Sequence, residues 1–207
     1  MYLRQAALHR FGMGGIPAKP LVTRLLMHFN TGVLEKEEIT GLSFTNQDIV
    51  EDTGVFGTCA KAIMNSGVYP NLNKNYNADI KAKLQYDYRT SWVFDFWVKF
   101  NAVQNYSFVL NWFGDNNLDI QARYNNPDQV AVIFRQKNNI IALAYRSGLN
   151  LDEFHHCFIQ YDGSKVRGGI AGKVVLYGNP GATLYDYSSN TGNFIQVCYS
   201  NLATNGL

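Results

Sequence analysis

The chain is poor in charge and in sulfur. Only 16% of its 207 residues are Asp, Glu, Lys or Arg, against roughly 25% in an ordinary soluble domain. The formal net charge is +2, too small a surplus to draw the chain onto nucleic acid. Cys59, Cys157 and Cys198 are odd in number and far apart. Neither a paired disulfide framework nor a zinc knuckle follows from that spacing, and buried free thiols are the expectation. No apolar run approaches the ~20 residues that span a bilayer, so no membrane partner is expected. There is no G-x-S-x-G, no glycine-rich phosphate loop and no run of alternating carboxylates, which removes the common signatures of esterases, nucleotide enzymes and glucanases.

What the chain has instead is apolar and aromatic alternation: 46% hydrophobic and 14% aromatic residues. In "SWVFDFWVKF" the residues Trp92, Phe94, Phe96, Val98 and Phe100 share one face, while Ser91, Val93, Asp95, Trp97 and Lys99 share a mixed one. A period of two with one apolar face is an antiparallel strand lying over a core. "YSFVLNWFGD", "QVAVIF" and "NIIALAY" repeat the pattern, separated by turn formers such as "YNNPD", "KNN", "YDGS" and "GNPG". Short strands at such spacing predict an all-β sandwich or barrel. "RLLMHFN" reads as the first strand, and "DIKAKLQYD" offers a helical turn or two.

Residues 1–23 read differently. Arg4, Arg10, Lys19 and Arg24 lie in a stretch without acids, and Gly12, Gly14, Gly15, Pro17 and Pro20 discourage independent folding. The stretch lacks the apolar centre of a secretory signal. The expectation is a basic N-terminal arm laid on a partner, followed by one domain over 24–207.

His155-His156-Cys157 invites a metal reading. Neighbouring strand side chains point to opposite faces, so two adjacent histidines on a strand do not readily share an ion. His155, Cys157, Ile159 and Tyr161 fall on one side, with Phe154, His156, Phe158 and Gln160 on the other. The expectation is a buried strand with at least one histidine hydrogen-bonded internally and no metal site.

The segment that follows, "FHHCFIQYDGSKVRGGIAGKVV", resembles the signature of laminin-G-like modules of the concanavalin A-like lectin and glucanase superfamily. The matching residues are His155, His156, Tyr161, Asp162, Gly163, Ser164, Val166, Arg167 and Gly172. "FGTCAKAIMNSGVY" and "WVFDFWVKF" are similar to earlier segments of that family, in the same order. The resemblance spans roughly residues 24–199 and implies a jelly-roll sandwich of two antiparallel sheets. It departs in two places. Ala171-Gly172 stands where Asn-Gly is usual, and the chain stops at "NFIQVCYSNLATNGL" without the family's closing strand. Either "NFIQVCYSN" replaces that strand, or a sheet edge is left for another chain to cover.

Candidate binding residues cluster in the loops. Asp115, Asn116, Asn117, Tyr124 and Asn125 supply the amide and aromatic groups that an array of sugar hydroxyls prefers, against the plainer reading of loop decoration. "DNNLD" also has alternating oxygens like the start of a calcium loop, but Ile120 and Asn126 stand where an EF-hand needs Gly and Glu. No cofactor is expected, with calcium kept open as a rim ligand. Asp95 is a lone carboxylate on its strand, while Glu51-Asp52 and Asp152-Glu153 read as loop pairs.

The expected function is a non-enzymatic binding module of a larger assembly. The absence of a leader, the basic arm and the missing strand favour a phage virion surface protein: a decoration, head-fibre or tail-adhesin subunit. Its partners would be other protein chains, met through the arm and the open edge, and glycans. The alternative is a free-standing carbohydrate-binding or adhesion domain on a bacterial surface, with a glycoside hydrolase third.

Overall fold

The computed structural model describes residues 2–10, 22–27, 41–54, 57–63, 70–75, 92–100, 106–112, 118–125, 128–136, 139–161, 165–175 and 194–201. Among these, every regular element is a strand. In chain order they are β1 (Tyr2–Arg10), β2 (Val22–Met27), β3 (Thr45–Gln47), β4 (Ile49–Gly54), β5 (Gly57–Ala62), β6 (Asn71–Asn75) and β7 (Trp92–Lys99). There follow β8 (Tyr106–Trp112), β9 (Leu118–Asn125), β10 (Gln129–Gln136), β11 (Asn139–Arg146), β12 (His155–Tyr161), β13 (Val166–Ile170), β14 (Lys173–Val175) and β15 (Phe194–Asn201). The expected helical turn at 79–87 lies outside the described residues.

The strands form two antiparallel sheets. The first runs β14-β13-β12-β7-β1-β5-β4, with β2 also on β1; the second runs β11-β10-β9-β8-β15-β6-β3. They pack face to face because alternation turns one side of each inward. Trp92, Phe94, Phe96 and Val98 of β7 join Cys157 and Ile159 of β12 on one wall; Ile120, Ala122, Val130, Val132 and Phe134 form the other. Trp92 meets Phe134 edge-on across the gap, ring centroids 5.3 Å apart. The chain is a β-sandwich.

Two expectations about the ends need correction. Tyr2–Arg10 is not a free arm. It is an interior strand, paired along one edge with β7 and along the other with β5 and β2. The register sets Leu3, Ala6 and Leu8 opposite Val98, Phe96 and Phe94 of β7. The boundary drawn at 23/24 therefore falls inside β2, which pairs with β1 as a hairpin partner. Of the basic residues, Arg10 stands opposite Trp92. Arg4 falls in the register break between Leu3 and Ala6, and Arg24 in the one between Leu25 and Thr23. Lys19 lies outside the described residues. The strand expected to be first, 24–30, is in part the second.

The other end, expected either to supply a strand or to leave an edge uncovered, does supply a strand. Phe194–Asn201, most of "NFIQVCYSN", is a paired strand inserted between β6 and β8 of the second sheet.

The β13–β14 hairpin turns through Ala171 and Gly172, at φ +50° and +79°. Positive φ at both central residues is the type I′ geometry, which favours Asn-Gly. Arg146 of β11 reaches across from the second sheet and donates from Nη1 to the carbonyls of Ile170, at 3.3 Å, and Ala171.

Candidate functional site: the outer face of the first sheet

The mixed face of β7 points away from the core. Val93, Asp95, Trp97 and Lys99 are half-buried, each between two buried neighbours. Next to it the outward residues of β12 are His156, Phe158 and Gln160, also half-buried. Register decides which groups meet: His156 stands opposite Trp97, Phe158 opposite Asp95, and Gln160 opposite Val93. One strand further, Phe158 faces Gly169 and Gln160 faces Arg167 on β13. On the other flank, β1 sets Ala7 opposite Asp95 and His9 opposite Val93.

These registers build a ring-lined platform around one carboxylate. His156 lies diagonally from Asp95, its Nε2 3.6 Å from Oδ2, with both side chains about a third exposed. The imidazole packs against Trp97 at 5.1 Å between ring centroids and against Phe158 at 6.4 Å. Phe158 lies over Gly169, where a Cβ would come within 2.1 Å of its ring. The Lys99 ammonium sits 5.6 Å from the centroid of the Phe154 ring. Further along the same sheet Lys61 pairs with Asp52 at 2.9 Å. That hydrogen bond, followed by one from the Thr53 amide, holds the Asp52 carboxyl below its ordinary range.

The opposite side of β12 is structural. His155 is 5% exposed and donates from Nε2 to the Asn150 carbonyl at 2.9 Å. Cys157 is fully buried, and burial alone pushes its thiol far above the ordinary range. The adjacent histidines diverge as the strand period requires. Among the described residues no three His, Cys, Asp or Glu side chains are grouped to hold a metal ion.

The loop residues proposed as sugar contacts fare differently. Asp115, Asn116 and Asn117, with the calcium-like loop they begin, lie outside the described residues. Asn125 ends β9 opposite Gln129. Tyr124 is a correction: it is 2% exposed, its hydroxyl donates to the Leu149 carbonyl at 2.8 Å, and its ring packs on Phe100. The alternation with Ile120 and Ala122 carries it into the core. Glu51 and Asp52 are strand residues of β4 rather than loop residues.

Trp97, His156 and Phe158 were not singled out as a site from sequence, although the signal was there. Asp95, Trp97 and Lys99 alternate on a second face that need not have been aromatic, and His156 and Phe158 do the same on β12. That these two half-faces adjoin is set by pairing between distant strands.

No family model and no curated protein matches the chain. Among solved structures, a carbohydrate-binding module from Bacillus subtilis superposes with a TM-score of 0.38 at 10% identity, over 77% of this chain and 92% of that one. A protein of unknown function from Shewanella oneidensis gives a TM-score of 0.38 at 10% identity, over 94% of this chain and 78% of its own. Neither likeness bears on what this chain binds.

Proposed function

We propose that this protein is a non-enzymatic binding module of the concanavalin A-like, laminin-G-like kind, holding glycans on the outer face of its first sheet. The observation that carries this reading is Asp95 set among half-exposed rings, with Trp97 beside it on β7 and Phe158 opposite on β12. A pyranose presents a C–H face that stacks on such rings and hydroxyls that hydrogen-bond to groups at their rim. Asp95 accepts from those hydroxyls. Lys99, Gln160 and Arg167 donate to them.

Bond cleavage is disfavoured by the same face. Glycoside hydrolysis uses two carboxyl groups roughly 5–9.5 Å apart, and neither β12 nor β13 contains an acid to face Asp95. The His156 imidazole lies 3.6 Å from its Oδ2.

Display on a phage virion or a bacterial surface is the setting this proposal assigns to the module. The residues 2–10 that pointed to an assembly role as an arm are an interior strand, which removes that argument for subunit assembly. The test is a panel of immobilised oligosaccharides. Retention by the wild type should fall at least tenfold in Trp97→Ala and in Asp95→Asn, with Asp95→Asn unfolding at the wild-type urea midpoint. Unchanged retention in both variants, or release of reducing sugar by the wild type that Asp95→Asn abolishes, would overturn the reading.

A further inference from the structure

We infer that the ligand of this face is a linear, uncharged oligosaccharide of at least three units, laid lengthwise along β12 over consecutive ring subsites. The inference deepens the glycan reading of the same face and rests on it.

The subsites come from the strand period. Phe154, just ahead of β12, and His156, Phe158 and Gln160 within it are all half-buried and alternate with buried neighbours up to Ile159. Successive positions on one face of a strand are about 7 Å apart. Three rings and then an amide therefore follow one another along a line of roughly 20 Å. Trp97 widens the middle step: it stands opposite His156, with ring centroids 5.1 Å apart and planes inclined by 41°. His156 and Phe158 are 6.4 Å apart at 35°. In the core, by contrast, Trp92 meets Phe134 edge-on at 67°. The smaller inclinations turn neighbouring ring faces in broadly one direction, as a stacking floor requires. One sugar covers one step of this floor, and only a chain reaches from Phe154 to Phe158.

The floor runs along the strand rather than across the sheet. The row through Phe158 reads Ala7, Asp95, Phe158 and Gly169 from β1 to β13. A chain laid across the strands there would meet a single ring. Gly169 has no side chain to offer, and the Phe158 ring already occupies the space above it.

The charges bordering the floor are of both signs. Lys99 lies at the Phe154 end, its ammonium 5.6 Å from that ring centroid. Asp152 and Glu153 are exposed in the turn before Phe154. Asp95 stands opposite Phe158, and Arg167 opposite Gln160 at the far end. Such a border favours neither a polyanion nor a polycation along its whole length. Its mixture of donors and acceptors is complementary to hydroxyls, each of which both donates and accepts. That is the chemistry of a neutral sugar chain.

The probes are cello-, xylo-, manno- and malto-oligosaccharides of one to six units, with oligogalacturonates as the charged counterpart, read by titration calorimetry. In at least one neutral series, affinity should rise roughly fivefold for each unit that covers a further ring, the size expected from burying apolar ring surface. The rise should level off at three or four units. Phe154→Ala should end it one unit earlier, whereas Trp97→Ala should weaken binding at every length. Urea midpoints establish that both variants fold, and the wild-type series decides by itself if either does not. Equal affinity for one unit and for six, or tighter binding of oligogalacturonates than of every neutral series, overturns this inference while the glycan reading stands. No retention of any sugar, including the case where a proline-rich peptide is retained instead, overturns both.

Discussion

The ring of Phe158 fills the space that a side chain on Gly169 would need, while Gly168, one residue earlier, abuts Ala144 on the core side. A Cβ at 169 would lie 2.1 Å from the ring, and one at 168 would lie 2.7 Å from the Ala144 Cβ. The two close approaches differ in what can yield. A ring swings about its own side-chain bonds, whereas a Cβ moves only with its backbone.

Gly168→Ala should therefore cost about 1–3 kcal/mol as an overpacked core, read from urea unfolding. Gly169→Ala should cost less but push Phe158 off the platform, lowering oligosaccharide retention. Equal stability losses, with retention untouched, would contradict this division.

Tyr124→Phe removes one oxygen and leaves the buried Leu149 carbonyl without the hydroxyl that donates to it at 2.8 Å. The expected loss is about 1–3 kcal/mol, with oligosaccharide retention at saturating protein unchanged. A variant as stable as the wild type but defective in binding would return Tyr124 to the ligand surface.

Ala171 adopts φ +50° in a turn that suits Asn. Ala171→Asn should raise stability by about 0.5–1 kcal/mol, because Asn tolerates the left-handed region that costs other residues roughly 1–2 kcal/mol. A lower urea midpoint would show that the partly buried methyl matters more than the backbone strain.

Asp52 is held below its ordinary range by Lys61 first and the Thr53 amide second. A carboxylate with a depressed folded-state value adds stability that is present above its unfolded value, about 3.9, and is lost as pH falls through the folded one. Urea midpoints taken from pH 7 to pH 2.5 should thus fall less steeply below pH 4 in Lys61→Met than in the wild type. At pH 7 the two should differ little, since each partner is about a third exposed. Parallel acid limbs would exclude the pair.

Burial of Cys157, fully enclosed between the sheets, keeps its thiol protonated. Peptide-level mass spectrometry after iodoacetamide treatment at pH 8 should find it unmodified in the folded protein and modified in urea. Labelling of the native chain would require an opening of β12 from β7.

The alternation of side chains in β7, β8, β10 and β11 was enough to determine the class of this fold and part of its core. Each strand carries its own two-residue period, so Phe94 and Val132 could be grouped with their own apolar face without knowing their neighbours, whereas both faces of β12 are apolar and its inward one, with Ile159, was decided only by packing. The same local rule separated His155 from His156. Tyr124 obeyed it too, two residues from Ala122 in the inward set, but its place beside a turn suggested a rim residue. What alternation cannot convey is which strand lies beside which. The insertion of Tyr2–Arg10 beside β7, of Phe194–Asn201 beside β8, and the meeting of Asp95 with His156 are outcomes of long-range pairing and register. A short basic strand followed by glycines and prolines looks like an arm until its backbone is paired with a distant strand. Only the folded chain brings them together, and with them the face proposed to hold a ligand.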